Sequence, residues 1–124
     1  MVGGSGEQKT LRLVARYADM CNLFDLPGTG FTDNLRHKLA VLHDHCRSIG
    51  RDYAEIEKTT ATMVDLATIR GNGGKHLIEH LHRLAELGID QAIINVSRPW
   101  DEASLDLIAD VLSDAHAMPS RQAA

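Results

Sequence analysis

The chain has 124 residues, 44% of them apolar and 24% charged, the balance of one globular domain with a buried core. Its formal net charge of −4 argues against a general nucleic-acid binder, because neutralising phosphates needs a concentrated basic face. No run approaches the roughly 18 apolar residues of a membrane span, and MVGGSGEQKT lacks a signal-peptide core, so a cytoplasmic protein without membrane contact is expected.

After a strand stub, Glu7 to Asp19 carries Leu11, Val14, Ala15 and Ala18 at helical spacing. Met20-Cys21-Asn22-Leu23-Phe24 fits a buried strand, and Pro27, Gly28 and Gly30 mark a loop. Leu35, Leu39, Leu42, Cys46 and Ile49 recur in steps of four and three, which predicts a helix with Gly50 as its left-handed C-cap. Thr59, Thr60, Thr62 and Val64 favour a strand over Glu57 to Ala67, after which Gly71, Gly73 and Gly74 break the chain. Lys75 to Leu87 reads as a helix stopped by Gly88, and Ile89 to Val96 as a strand whose Ala92-Ile93-Ile94 run is too apolar for a surface position. Pro99 precedes a last helix that Asp101 could cap, with Leu105, Ile108, Ala109 and Leu112 inward, and Met118 to Ala124 reads as a disordered tail.

Alternation of this kind implies an α/β fold of about four parallel strands with right-handed helical crossovers. It closes either as an open doubly wound sheet or as half of an eight-fold β/α barrel of the TIM type, which needs about 250 residues in full.

The segment Gly3-Gly4-Ser5-Gly6-Glu7-Gln8-Lys9-Thr10 joins the strand stub to the first helix. Its glycines can bring backbone N–H groups close to an anion at the positive helix end. A Walker loop ending in Lys9-Thr10 needs glycine at Gln8, and a GxGxxG fingerprint starting at Gly4 needs glycine at Lys9. Neither is satisfied, although Asp25 stands where a ribose-binding acid would follow such a fingerprint. A plain tight turn, with Glu7 favouring the helix dipole, is the competing reading.

The run Gly3-Gly4-Ser5-Gly6-Glu7, Lys9-Thr10-Leu11-Arg12-Leu13-Val14-Ala15, Tyr17-Ala18-Asp19 and Cys21-Asn22-Leu23-Phe24 resembles the C-terminal part of the luciferase-like monooxygenases, in the branch of coenzyme F-420-dependent (deazaflavin) oxidoreductases. Lys38-Leu39-Ala40-Val41-Leu42, His45-Cys46, Gly50-Arg51-Asp52 and Ala54-Glu55-Ile56-Glu57 follow the same pattern, and the similarity covers most of residues 3 to 116. The resemblance implies an eight-fold barrel in which FMN or coenzyme F-420 lies at the C-terminal mouth of the strands and exchanges hydride with a substrate. Residues 1–117 would then be a half barrel. Gly3, Gly4, Ser5 and Gly6 would bind the cofactor phosphate, with the Thr10 hydroxyl beside them, Asn22 facing the mouth, and Lys9 and Arg12 adding charge or remaining solvated. In that family the first half of the barrel supplies much of the ring pocket and the substrate-facing residues, so no catalytic residue is assigned and hydride transfer requires a completed barrel. A non-catalytic phosphate- or flavin-binding module is the alternative. Half a barrel exposes the inner face of its strands, so a homodimer or a missing N-terminal half is expected to cover it.

The seven histidines include His76 and His80 at i, i+4 with His82 nearby, and His43 and His45 beside Cys46, but no third ligand is evident, and surface histidines without a metal are expected. No GxSxG elbow is present. Cys21 in an apolar strand is an unreactive thiol, and with Cys46 it suggests reduced, packed cysteines. Asn22 needs a hydrogen-bond partner if buried. Asn95 and Ser97, with Arg98, stand where the last strand ends and could complete a phosphate pocket.

Overall fold

The computed structural model describes residues 1–96 and 101–117; the expectations for Ser97, Arg98, Pro99 and the tail at 118–124 lie outside the described residues. The elements are β1 (Val2–Gly3), α1 (Thr10–Tyr17), β2 (Met20–Asp25), α2 (Phe31–Ser48), β3 (Glu57–Val64), α3 (Leu66–Asn72), α4 (Lys75–Leu87), β4 (Gln91–Val96) and α5 (Glu102–His116). A 3₁₀ turn at Tyr53–Glu55 leads into β3. The chain is α/β, and its sheet runs in the order β1-β2-β3-β4 with every neighbouring pair parallel.

Strand alternation decides what each face carries. Cys21 pairs with Lys58, Leu23 with Thr60 and Asp25 with Thr62, so these positions share one face. Leu11, Val14 and Ala15 of α1, Leu35, Leu39 and Leu42 of α2, and Leu84 of α4 pack with Cys21 and Leu23 in one buried cluster. A second cluster joins Leu66 and Ile69 of α3, Leu77 of α4, and Ile108 and Val111 of α5, with Val64 and Ile94 against it. The helices therefore cover one face. The other face carries Asn22, Phe24, Ala61, Met63, Ile93 and Asn95; near its C-terminal edge the Phe24 ring meets that of Phe31, the first residue of α2, edge to face with centroids 5.4 Å apart. Phe24 and Ile93 remain 44% and 38% exposed there.

The two longest-range helix stops follow from glycine. Gly50 adopts φ +70°, which frees its N–H to reach Arg47 O at 3.3 Å while Arg51 N reaches Cys46 O at 3.0 Å, the paired closure of a Schellman motif. Gly88, at φ +91°, ends α4 in the same way through Gly88 N to Ala85 O and Ile89 N to Leu84 O, both 3.0 Å. Between such stops the apolar stripes supply the driving force: Leu11, Leu42 and Leu84 are almost wholly buried, each contributing about 1.5–3 kcal/mol by removal from water.

Four expectations change. The first helix starts at Thr10, because residues 7–9 form a turn. β3 stops at Val64, and Gly71 lies inside α3, which Leu66 and Ile69 anchor three positions apart against the core. The break falls at Gly73 and Gly74, both left-handed. Ile93 is exposed because β4 is an edge strand whose helix-free face has nothing above it among the described residues. In α5, Asp101 caps as expected by accepting from Ser104 N, but the buried side is Ser104, Ile108 and Val111, leaving Leu105 and Leu112 52% and 41% exposed.

Among the described residues no helix is long and apolar enough to cross a membrane.

Candidate functional site

The glycine loop grows out of the sheet. Gly3 pairs with Asn22, and Gly4 N extends that ladder by donating to Asn22 O at 3.1 Å. Gly4 has φ +128°, and a Cβ there would meet Thr10 Cγ2 at 3.1 Å, so the position requires glycine on both counts. At Gly6 a Cβ would lie 3.0 Å from Thr10 Oγ1. The chain then turns into α1 by Leu11 N donating to Gly6 O at 3.0 Å. Among the described residues, the N–H groups of Ser5 through Thr10 donate to no protein acceptor, and α1 has no side-chain cap. Open N–H groups at a helix start are donors that can meet an anion.

The loop is fixed from outside by α2. Lys38 Nζ lies 2.5 Å and His37 Nε2 3.3 Å from Glu7 Oε1, and His45 Nε2 is 2.9 Å from Glu7 O. The Lys38 ammonium, then the His37 ring, holds the Glu7 carboxyl below its usual range. The Glu7 charge beside the loop is thus matched by the Lys38 ammonium. Ser5, Phe24, Phe31, Asn34 and Lys38 line a small cleft of about 30 Å³ between the loop and α2. Lys9 and Arg12 are exposed and form no ion pair among the described residues.

Asn22 lies on the helix-free face, one strand in from Gly3. Thr59 Oγ1 is 2.9 Å from Asn22 Oδ1 and 3.1 Å from Cys21 O, and its single proton serves one of the two. The Asn22 amide nitrogen donates to no described residue, which leaves a donor beside the loop. Gly3, Gly4, Ser5, Gly6, Thr10 and Asn22 are therefore contiguous. Asn95 is on the same face, but three strands from Gly3 and four register positions further along, with its Nδ2 donating to Ile93 O at 3.3 Å.

No known family model matches the chain, and no curated protein matches it either.

The structure also holds a polar knot that sequence reasoning misplaced. Asp25 and His80, expected respectively as a candidate ribose ligand and a surface side chain, are 0% and 2% exposed. His80 Nε2 lies 2.6 Å from Asp25 Oδ2, Thr62 Oγ1 donates to the same oxygen at 3.1 Å, and Thr32 Oγ1 donates to Oδ1 at 3.1 Å. Thr60 Oγ1 follows at 2.9 Å from Thr62 Oγ1. Sealed on the helix side, Asp25 cannot reach a ribose. Two periodicities carry the signal: Asp25 continues the inward series Cys21, Leu23, and His80 falls in the stripe Leu77, Leu81, Leu84. Among the described residues no group of three His, Cys, Asp or Glu side chains could hold a metal ion. Cys21 is buried, and that burial, followed by the nearby Cys46, pushes its thiol up to about 11, which suits packing and not nucleophilic chemistry.

Proposed function

We propose that the chain is half of a β/α barrel and holds the phosphate of a flavin or deazaflavin, FMN or coenzyme F-420, in the loop Gly3 to Gly6. The observation that carries this reading is the cradle itself: unpartnered N–H groups from Ser5 onward, glycines where a Cβ would collide with Thr10, and the free Asn22 amide beside them. The consecutive strand order with helices on one face supports a barrel segment, because a doubly wound sheet reverses its strand order to place helices on both faces. The loop lies at the C-terminal end of β1, the end at which barrels gather their sites.

The donors at this loop suit a phosphate group. Ser5 and Gly6 N–H groups would donate to its oxygens, the Thr10 hydroxyl would add a side-chain donor, and the dipole of α1 would favour its charge. Asn22 would meet the cofactor on the helix-free face, where Phe24, Ala61 and Met63 offer an apolar bed to a flat ring. When bound, the flavin or deazaflavin supplies hydride transfer. No side chain is assigned to proton transfer or to substrate.

Equilibrium fluorescence titration with FMN and with coenzyme F-420, repeated in excess inorganic phosphate, tests the reading. Saturable binding displaced by phosphate and lost in Gly4→Val is the expected result; binding indifferent to both would move the cofactor elsewhere. Binding without turnover would favour the non-catalytic module.

A further inference from the structure

Beside the glycine loop, α1 and α2 enclose a cleft of about 270 Å³. Its polar lining is Gln8, Arg12 and Arg16 from one side and His45 and Ser48 from the other, with no carboxylate among the described residues that border it. Gln8, Arg12 and Arg16 also border a hollow shared with Lys9, which adds a third cation. All three cations are exposed, and none has an ion-pair partner among the described residues. Glu7 and Asp44, next in sequence to the lining residues Gln8 and His45, are held by Lys38 and Arg47 instead. Local electrostatics does not favour this placement. Lys9 is the N-cap residue of α1 and Arg12 lies in its first turn, which holds no acid, and cations at a helix N-terminus oppose the dipole. An anion in the cleft offsets that repulsion, and each guanidinium presents a fork that matches the two oxygens of a carboxylate.

We infer that this cleft is a subsite for a short chain of carboxylates, and that through Arg12 and Arg16 it selects coenzyme F-420 over FMN. The inference rests on the phosphate reading of the loop Gly3 to Gly6. α1 leads away from that loop, and at about 1.5 Å per residue Arg16 stands about 9 Å past Thr10. One phosphate cannot touch the loop N–H groups and Arg16 together. FMN carries its negative charge on a single phosphate, whereas coenzyme F-420 continues from its phosphate into a chain of glutamates. With the phosphate at Ser5 and Gly6, the first carboxylate follows past the Gln8 amide to Arg12, and a later one reaches Arg16.

Fluorescence titration of coenzyme F-420 and of FMN against the wild type and Arg12→Gln/Arg16→Gln tests the selection. The double variant is expected to bind coenzyme F-420 about 10-fold more weakly and FMN as before. Lys75→Gln/Arg83→Gln removes two exposed cations from α4 and is expected to bind both cofactors like the wild type; a loss equal to that of the α1 variant would assign the effect to net charge and overturn the inference. Equal weakening of both cofactors in the α1 variant, or of neither, would overturn it as well. Should that variant lose helical circular dichroism, Arg16→Gln alone, expected at about 3-fold, gives the same reading. A γ-linked triglutamate, followed through backbone amide shifts, separates the cleft from the cofactor. Shifts at Gln8, Arg12, Arg16 and Ser48 that vanish in the double variant, with neither cofactor bound, keep the carboxylate subsite and remove the cofactor reading. Both cofactors bound with equal affinity, and no triglutamate shift at those residues, keep the phosphate loop and overturn the subsite. No response to any of the three titrants overturns both.

Discussion

His80 Nε2 lies 2.6 Å from Asp25 Oδ2, a contact between residues 55 positions apart in which both side chains are sealed from solvent. It ties the C-terminal end of β2 to the middle of α4, while Thr32 and Thr62 bring α2 and β3 to the same carboxyl. The glycine loop hangs from β2 through Asn22, so the knot fixes the strand that the candidate site is built on. Asp25→Ala strips partners from His80, Thr32 and Thr62 together, and urea unfolding is expected to show a loss of about 3–5 kcal/mol. Thr62→Val removes one of the three groups on that carboxyl together with the partner of the Thr60 hydroxyl, and should lose less, about 1–2 kcal/mol. Equal losses in the two variants would contradict the shared-carboxyl account.

Gly74, at the N-cap of α4, packs against Val111 of α5. A Cβ at this position would stand 2.2 Å from Val111 Cγ2, and its φ is +78°. Gly74→Ala is therefore expected to destabilise the chain by about 2 kcal/mol, and adding Val111→Ala should relieve the clash but not the backbone strain. A double-mutant cycle on thermal unfolding measures the coupling; strict additivity would place the cost in the backbone alone.

Burial governs the cysteines. With the Cys21 thiol at about 11, only about a thousandth of it is thiolate at pH 8, and the Cys46 thiol is also raised, first by burial. Neither is expected to react with a thiol-specific reagent on the folded chain, whereas both should react in denaturant. Fast native labelling of Cys21 would show that the α1–β2–α2 core opens.

Asp101 accepts from Ser104 at the start of α5 and pairs with Arg70 of α3. The Ser104 hydroxyl, then the Arg70 guanidinium, lowers its carboxyl to about 2 from the ordinary 3.8. A depressed carboxyl contributes stability that is fully present above the unfolded value and is lost as pH falls through the folded one. The Tm difference between wild type and Asp101→Ala should accordingly be constant above about pH 5 and shrink between pH 4 and pH 2. A difference that grows over that interval would refute the cap's charge.

Where local chemistry and tertiary packing agree, the sequence was sufficient to read the fold. The Leu35 to Cys46 stripe with Gly50, and Lys75 to Leu87 with Gly88, describe α2 and α4 closely, because spacing and stop signal coincide. α3 was hidden since Gly71 looks like a breaker and only Leu66 and Ile69 hold the turn against the core. The inner side of α5 was misread toward Leu105 and Leu112, because a helix at an open flank has two apolar stripes and spacing alone does not say which one has a neighbour. The glycine loop was legible as a strand-to-helix junction, yet its contact with Asn22 needed the β1–β2 register. The Asp25–His80 knot was missed because a histidine at i, i+4 from another suggests the surface pair, while the partner that buries it comes from a distant strand.

The most direct test of the phosphate cradle is to follow the backbone amide resonances of the chain during titration with FMN, coenzyme F-420 and inorganic phosphate in turn. Shifts concentrated at Ser5, Gly6, Glu7 and the Asn22 side-chain amide, shared by all three titrants, are the predicted result. Shifts confined to other parts of the chain, or none from any titrant, would contradict the assignment of Gly3 to Gly6 as the site that holds the cofactor.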